Sequence, residues 1–178
     1  MTLLRQQLNA VPFTRPYVWM LAAWILSMIS LPIARWTWGD SVIPVSSLIG
    51  VIFQFSAVVT ILQARWGTRR TLITVIVVGV LTWGIEAIGS KTGVPFGVYS
   101  YTDLLQPQLF GVPLLIPLAW MMMLAPSWAV ASVIVGRGRT TWQKRAAFIG
   151  ISALAITAWD LYLDPQMVGW GFWVWAQP

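Results

Sequence analysis

The chain carries five acidic residues, Asp40, Glu86, Asp103, Asp160 and Asp164. Two of them, Glu86 and Asp160, fall inside long apolar segments. A carboxyl group is costly in lipid, so an acid within a membrane-spanning segment marks a functional site by default. Asp160 and Asp164 are spaced i, i+4 and can share one helix face. Glu86 and Asp160 each lie about one turn before the end of a segment that runs toward the same side, ~5 Å deep at 1.5 Å per residue. The negative helix ends and burial both disfavour a charged carboxylate there. Such an environment suits a general acid that keeps its proton near neutral pH. Plainer roles also fit these positions. Glu86 could pair with Lys91 as a structural ion pair, Asp164 before Pro165 could end a helix at the membrane surface, and Asp103 sits in a polar loop where an acid is ordinary.

The missing residue types narrow the chemistry. With no Cys and no His, the chain has no thiolate nucleophile, disulfide or His-based zinc, haem or di-iron centre. No G-x-G-x-x-G motif opens a helix after a strand, so no dinucleotide fold is expected. No clustered Asp-rich motif for a magnesium diphosphate is present. An enzyme built from this chain would have to work with carboxylates, hydroxyls, amides and aromatic rings. The acids gather on one side and nothing acidic continues through the other half of the membrane, which argues against a proton-coupled transporter.

The elements that must position the acids are membrane helices. Of 178 residues, 58% are hydrophobic and 9% charged, against about 25% charged in soluble domains. We read an all-α, polytopic transmembrane bundle, one integral membrane domain over 1–178. Its five spans lie at about 17–36, 43–63, 71–89, 113–135 and 146–163, each near the ~20 residues that cross a bilayer. Pro32 is expected to kink the first. Arg5, Arg15, Arg65, Arg69, Arg70, Arg137, Arg139, Lys144 and Arg145 fall on one side, and only Arg35 and Lys91 on the other. This asymmetry places the N-terminus in the cytoplasm and the acids toward the extracytoplasmic side of the cytoplasmic membrane. Cations spread over short loops give the net charge of +6 a topological meaning; no nucleic-acid partner is expected. Many of the 13 Trp fit interfacial belts, Trp173 and Trp175 on the acidic side among them. The aromatic stretch from Trp170 to Trp175 reads as the approach to a sixth span, so the chain is expected to be C-terminally incomplete.

Between spans three and four runs a long loop with Thr92, Tyr99, Tyr101 and Asp103, punctuated by Gly93, Pro95 and Gly97. Loops of this length often bind or cover ligands. Gly111-Val112-Pro113-Leu114-Leu115-Ile116-Pro117 gives the fourth span a bent entry. The soft apolar run Trp120-Met121-Met122-Met123 could line a pocket for a long hydrocarbon, although ordinary helix packing uses the same residues.

Three blocks carry a resemblance. Glu86-Ala87-Ile88-Gly89 with Thr92-Gly93-Val94-Pro95-Phe96-Gly97-Val98-Tyr99-Ser100-Tyr101 is the first. Gly111 to Trp120 is the second, and Trp159-Asp160-Leu161-Tyr162-Leu163-Asp164-Pro165 the third. Together they resemble the membrane carotenoid 1,2-hydratases, a family of carotenoid biosynthesis proteins that includes γ-carotene, lycopene and bisanhydrobacterioruberin hydratases. The resemblance covers roughly residues 83–175. It implies a cofactor-independent hydro-lyase that adds water across the terminal C1=C2 bond of an acyclic carotenoid end group, giving a tertiary alcohol. Lycopene, γ-carotene and C50 precursors share that end. The implied catalytic residues are Glu86, Asp160 and Asp164, with proton donor and water-orienting group left open between Glu86 and Asp160. The implied substrate-binding residues are Trp83, Thr92, Tyr99, Tyr101, Trp120 and Trp159. Membrane lipid and other carotenoid biosynthesis enzymes are the expected surroundings. The competing reading is a membrane protein that binds or helps assemble carotenoids without changing them.

Overall fold

The computed structural model describes residues 15–136, 138–139 and 141–176. Arg5 and Arg137, two of the orienting cations, lie outside the described residues. The chain is all-α and polytopic: among the described residues, five helical segments are long and apolar enough to cross a membrane. Helices satisfy every backbone polar group internally, which is why apolar runs of this length adopt them in lipid.

The segments are α1 (Pro16–Trp38), α2 (Ile43–Trp66) entered by a 3-10 turn at Asp40–Val42, α3 (Thr68–Thr92), the pair α4 (Leu115–Met122) and α5 (Leu124–Val135), and α6 (Trp142–Gly169). Three very short strands, β1 (Tyr99–Tyr101), β2 (Gln108–Leu109) and β3 (Val112–Pro113), lie between α3 and α4, and β4 (Trp173–Trp175) follows α6. The chain divides into two units, one ending at Leu72 and one beginning at Ile73.

In the first unit α1 packs along α2. Gly50 of α2 faces the Met28 side chain of α1 so closely that a Cβ at this position would collide with it. Ile43, Ala57, Val58 and Leu62 form the buried side of α2. The helix α1 runs through Pro32 to Trp38.

In the second unit α5 packs against α6. Ser127 and Ala131 form the buried side of α5. Exposed apolar residues, including Val133, Ile149 and Leu154, cover outer faces of these helices, as lipid-facing surfaces require.

Two boundaries differ from the sequence reading. The fourth span is divided at Met123, whose N–H bonds back to the Trp120 carbonyl at 3.3 Å in a tighter turn. Pro126 has no N–H to give the Met122 carbonyl, which weakens the ladder at this point. The fifth span does not stop at Asp164-Pro165. The helix continues through Pro165 to Gly169, because Pro removes only one helical hydrogen bond and a packed membrane helix tolerates that loss. Asp164 therefore sits within the helix rather than at its end. At the other end of α6, Thr141 caps the helix by accepting the Lys144 N–H at 3.3 Å.

Candidate active site: three carboxyls around an aromatic cavity

Glu86 lies in the last third of α3 and is 6% exposed. Three residues on, at Gly89, the same helix face carries no side chain. A Cβ at Gly89 would stand 3.1 Å from the Phe96 ring and 3.5 Å from the Tyr99 hydroxyl. The bare backbone thus lets Phe96 and Tyr99 come down onto α3 beside Glu86.

The Glu86 carboxyl is held by three aromatic donors from two further elements. Oε2 accepts the hydroxyls of both Tyr99 and Tyr101, the latter at 2.8 Å. Oε1 accepts the Trp120 indole N–H at 3.0 Å. A carboxylate has about four acceptor positions, so the protein fills most of them. Lys91 does not pair with Glu86; its Nζ lies 5.8 Å from the centre of the Phe110 ring. Burial, and then the adjacent Glu86, push the Tyr99 phenol above its ordinary range, and the same two causes act on Tyr101. Both phenols are therefore protonated donors.

Asp164 is held in the same manner. Its Oδ1 accepts the Trp173 indole N–H at 2.7 Å, and its two oxygens share the Trp175 indole N–H at 3.1 Å each. Asp160, one helical turn earlier, faces the same cavity. Among the described residues its carboxyl has no hydrogen-bond partner, while Glu86 and Asp164 are within electrostatic reach.

The strands β1 and β4 close the arrangement. They pair antiparallel, with Tyr99 opposite Trp175, Ser100 opposite Val174 and Tyr101 opposite Trp173. Successive strand residues point to opposite faces. The four aromatic residues share one face, where Tyr99 meets Trp175 with ring centres 5.1 Å apart and Tyr101 meets Trp173 at 5.9 Å. Thr102 extends the pairing by donating its hydroxyl to the Gly171 carbonyl at 2.7 Å.

Between these groups lies a cavity of about 240 Å³. Glu86, Asp160 and Asp164 are its acids, and Tyr99, Tyr101, Trp120, Trp159, Trp173, Trp175 and Phe96 contribute its aromatic wall. Pockets for whole drug-sized ligands run from ~300 Å³ upward, so this one is smaller than a site that encloses such a molecule.

The remaining acids and sequence candidates lie elsewhere. Asp40 forms an exposed ion pair with Arg35 at 2.6 Å. Asp103 is exposed and accepts from Gln106 at 3.4 Å. Trp83 does not line the cavity; its indole donates to the Leu109 carbonyl at 3.2 Å and its ring meets Phe110 at 5.8 Å. Thr92 is also outside, with its hydroxyl returned to the Ile88 carbonyl at 2.8 Å at the end of α3. Phe96, Trp173 and Trp175 join the cavity although the sequence reading left them out. Trp173-Val174-Trp175 alternates with period two like Tyr99-Ser100-Tyr101, but three residues are too few to signal a strand pair in the sequence. Among the described residues no group of acids is arranged to hold a metal ion.

A polytopic membrane protein whose intramembrane acids meet in an aromatic cavity is the class these features define. Residues 44–178 match the carotenoid biosynthesis protein family, and the chain belongs to that family. Over 112 residues it is 30% identical to the bisanhydrobacterioruberin hydratase of Haloarcula japonica, an alignment covering 62% of this chain. The aligned part spans 37% of that relative's length. No solved structure matches the chain.

Proposed function

We propose that the protein is a carotenoid hydratase that adds water across the terminal C1=C2 bond of an acyclic end group by acid catalysis. The observation that carries this reading is the contrast among the three cavity acids. Glu86 and Asp164 are occupied by aromatic donors, whereas Asp160 faces the cavity with no hydrogen-bond partner among the described residues. Asp160 is the group free to hold a proton and give it to a substrate. Family membership and the name of the Haloarcula relative support a carotenoid as that substrate.

The reaction needs no redox change. The Asp160 carboxyl gives its proton to C2, and the alkene electron pair forms the new C–H bond. Positive charge then rests on the tertiary C1, where the aromatic wall stabilises it by cation–π attraction. A water oriented by the remaining acceptor position of Glu86 donates an electron pair to C1 and forms the C–O bond. The proton that this water loses returns through Glu86 to Asp160. The sum is alkene plus water giving a tertiary alcohol. The apolar wall limits the cation to the one water admitted beside it.

The test is pigment analysis in a host that makes lycopene and γ-carotene. Expression of the wild-type chain is expected to yield products heavier by one water. Asp160→Asn is expected to lower the yield by about 10²- to 10⁴-fold, the usual contribution of a general acid. Glu86→Gln also lowers it, because an amide cannot accept from all three donors. Normal hydration by both variants rejects this site.

A further inference from the structure

We propose that Asp164 is a positioning residue: it fastens β4 over the cavity, and through β4 it holds Tyr99 and Tyr101 against Glu86. The proposal rests on the hydratase reading for its kinetic consequences but not for its geometry. A pair of three-residue strands is marginal by itself, so β1 and β4 need an external fastening. Asp164 supplies one. It is fixed in α6, and both indole N–H groups of β4 end on its carboxyl, at 2.7 Å and 3.1 Å. The strand register then places Trp175 beside Tyr99 and Trp173 beside Tyr101. Those two tyrosines are the hydroxyl donors to Glu86. An unbroken line of contacts therefore runs from Asp164 to the carboxyl on the far wall. Asp160, on the same helix face, takes no part in it.

An amide oxygen can accept the same two N–H groups, whereas a methyl group cannot. Asp164→Asn should therefore keep the strand in place and Asp164→Ala should release it. Ser100 and Val174 allow this to be read directly. They oppose each other in the ladder, are exposed and do not line the cavity. Directly opposed residues of antiparallel strands lie ~4.5–5.5 Å apart, within disulfide reach. Because the chain contains no Cys, Ser100→Cys with Val174→Cys introduces the only thiols.

The experiment places this pair in the full chain with Asp, Asn or Ala at 164. It measures cross-linking in membranes, and kcat, KM and the pH–rate profile on a lycopene-type substrate. Cross-linking is expected to be equally fast with Asp and Asn and clearly slower with Ala. Under reducing conditions Asp164→Asn should lose only a few-fold in kcat. Asp164→Ala should lose about 10- to 100-fold, because the two part-buried indole donors lose their acceptor and β4 is released. The disulfide should restore most of that loss, and reductant should remove it again. Asp164→Asn as inactive as Asp160→Asn with cross-linking intact would mean that Asp164 acts chemically, overturning the proposal. Ala cross-linking and hydrating like wild type would overturn it as well. If no chain hydrates, the wild type included, but cross-linking still separates Ala from Asn, the fastening stands and the hydratase reading fails.

Discussion

The three acids of the cavity differ in what the protein has done with their oxygens. Glu86 receives two phenols and an indole, Asp164 two indoles, and Asp160 nothing from the described residues. That difference decides the roles proposed for them. It also predicts the behaviour of the donors. Burial and then Glu86 hold the Tyr99 and Tyr101 phenols above their ordinary range. In an ultraviolet titration of the detergent-solubilised protein, the phenolate signal between about pH 9 and 11, around the ordinary tyrosine pKa of about 10, should be the same in wild type and in a Tyr99→Phe, Tyr101→Phe double variant. A smaller signal in the double variant would show that these phenols titrate normally. The sign of the linkage follows. Their folded-state pKa lies above the unfolded value, so their contribution to stability is whole below about pH 10 and is lost as the pH rises beyond it. At neutral pH each Tyr→Phe change removes one hydrogen bond to the buried Glu86 side chain, worth about 0.5–3 kcal/mol. Thermal unfolding of the single variants measures it.

Among the elements, the membrane helices were legible in the sequence because hydropathy over ~20 residues determines them. The short strands were not. The pairing of residues 99–101 with 173–175 joins segments far apart in the chain, and three residues carry too little pattern to announce a strand. Trp173 and Trp175 read as an interfacial belt, since nothing local shows an indole N–H bound to an acid nine or eleven residues earlier. Asp164-Pro165 read as a possible helix end for the same reason: the local Pro signal is genuine, but packing of α6 outweighs it. Thr92 and Trp83 came from the family resemblance, and each donates its polar group to a backbone carbonyl outside the cavity. The acids Glu86 and Asp160, by contrast, were visible from their depth alone.

The bend that presents β1 depends on Gly97, at φ +106 with the Trp175 ring 3.0 Å from where a Cβ would stand. Gly97→Ala should lower thermal stability by about 1–3 kcal/mol through backbone strain and displacement of Trp175. Gly79, inside α3, has nothing within 4 Å of such a Cβ. Gly79→Ala should instead gain about 0.5–1 kcal/mol from helix propensity. Equal effects at the two positions would contradict the role given to this bend.

At the scale of the whole molecule, the chain is a polytopic membrane protein of the carotenoid biosynthesis family. A long polyene dissolved in lipid needs to offer only one end to the cavity, which fits a pocket of about 240 Å³ set among aromatic residues. The proposed orientation, with the cationic loops in the cytoplasm, makes a separate prediction. In the Cys-free chain, a single Cys at Leu104 should react with an impermeant maleimide in intact cells. One at Arg139 should react only after permeabilisation. The reverse pattern would invert the topology without disturbing the site.

The central claim is that Asp160 protonates a terminal alkene and that water completes the addition. Its most direct test is the reaction of purified protein with lycopene in deuterium oxide containing oxygen-18, followed by mass spectrometry of the product. The account predicts one deuterium on C2 and one oxygen-18 on C1 with wild type, and almost none of this product with Asp160→Asn. An unlabelled oxygen, a label at another carbon, or the same labelled product at an undiminished rate from Asp160→Asn would contradict it.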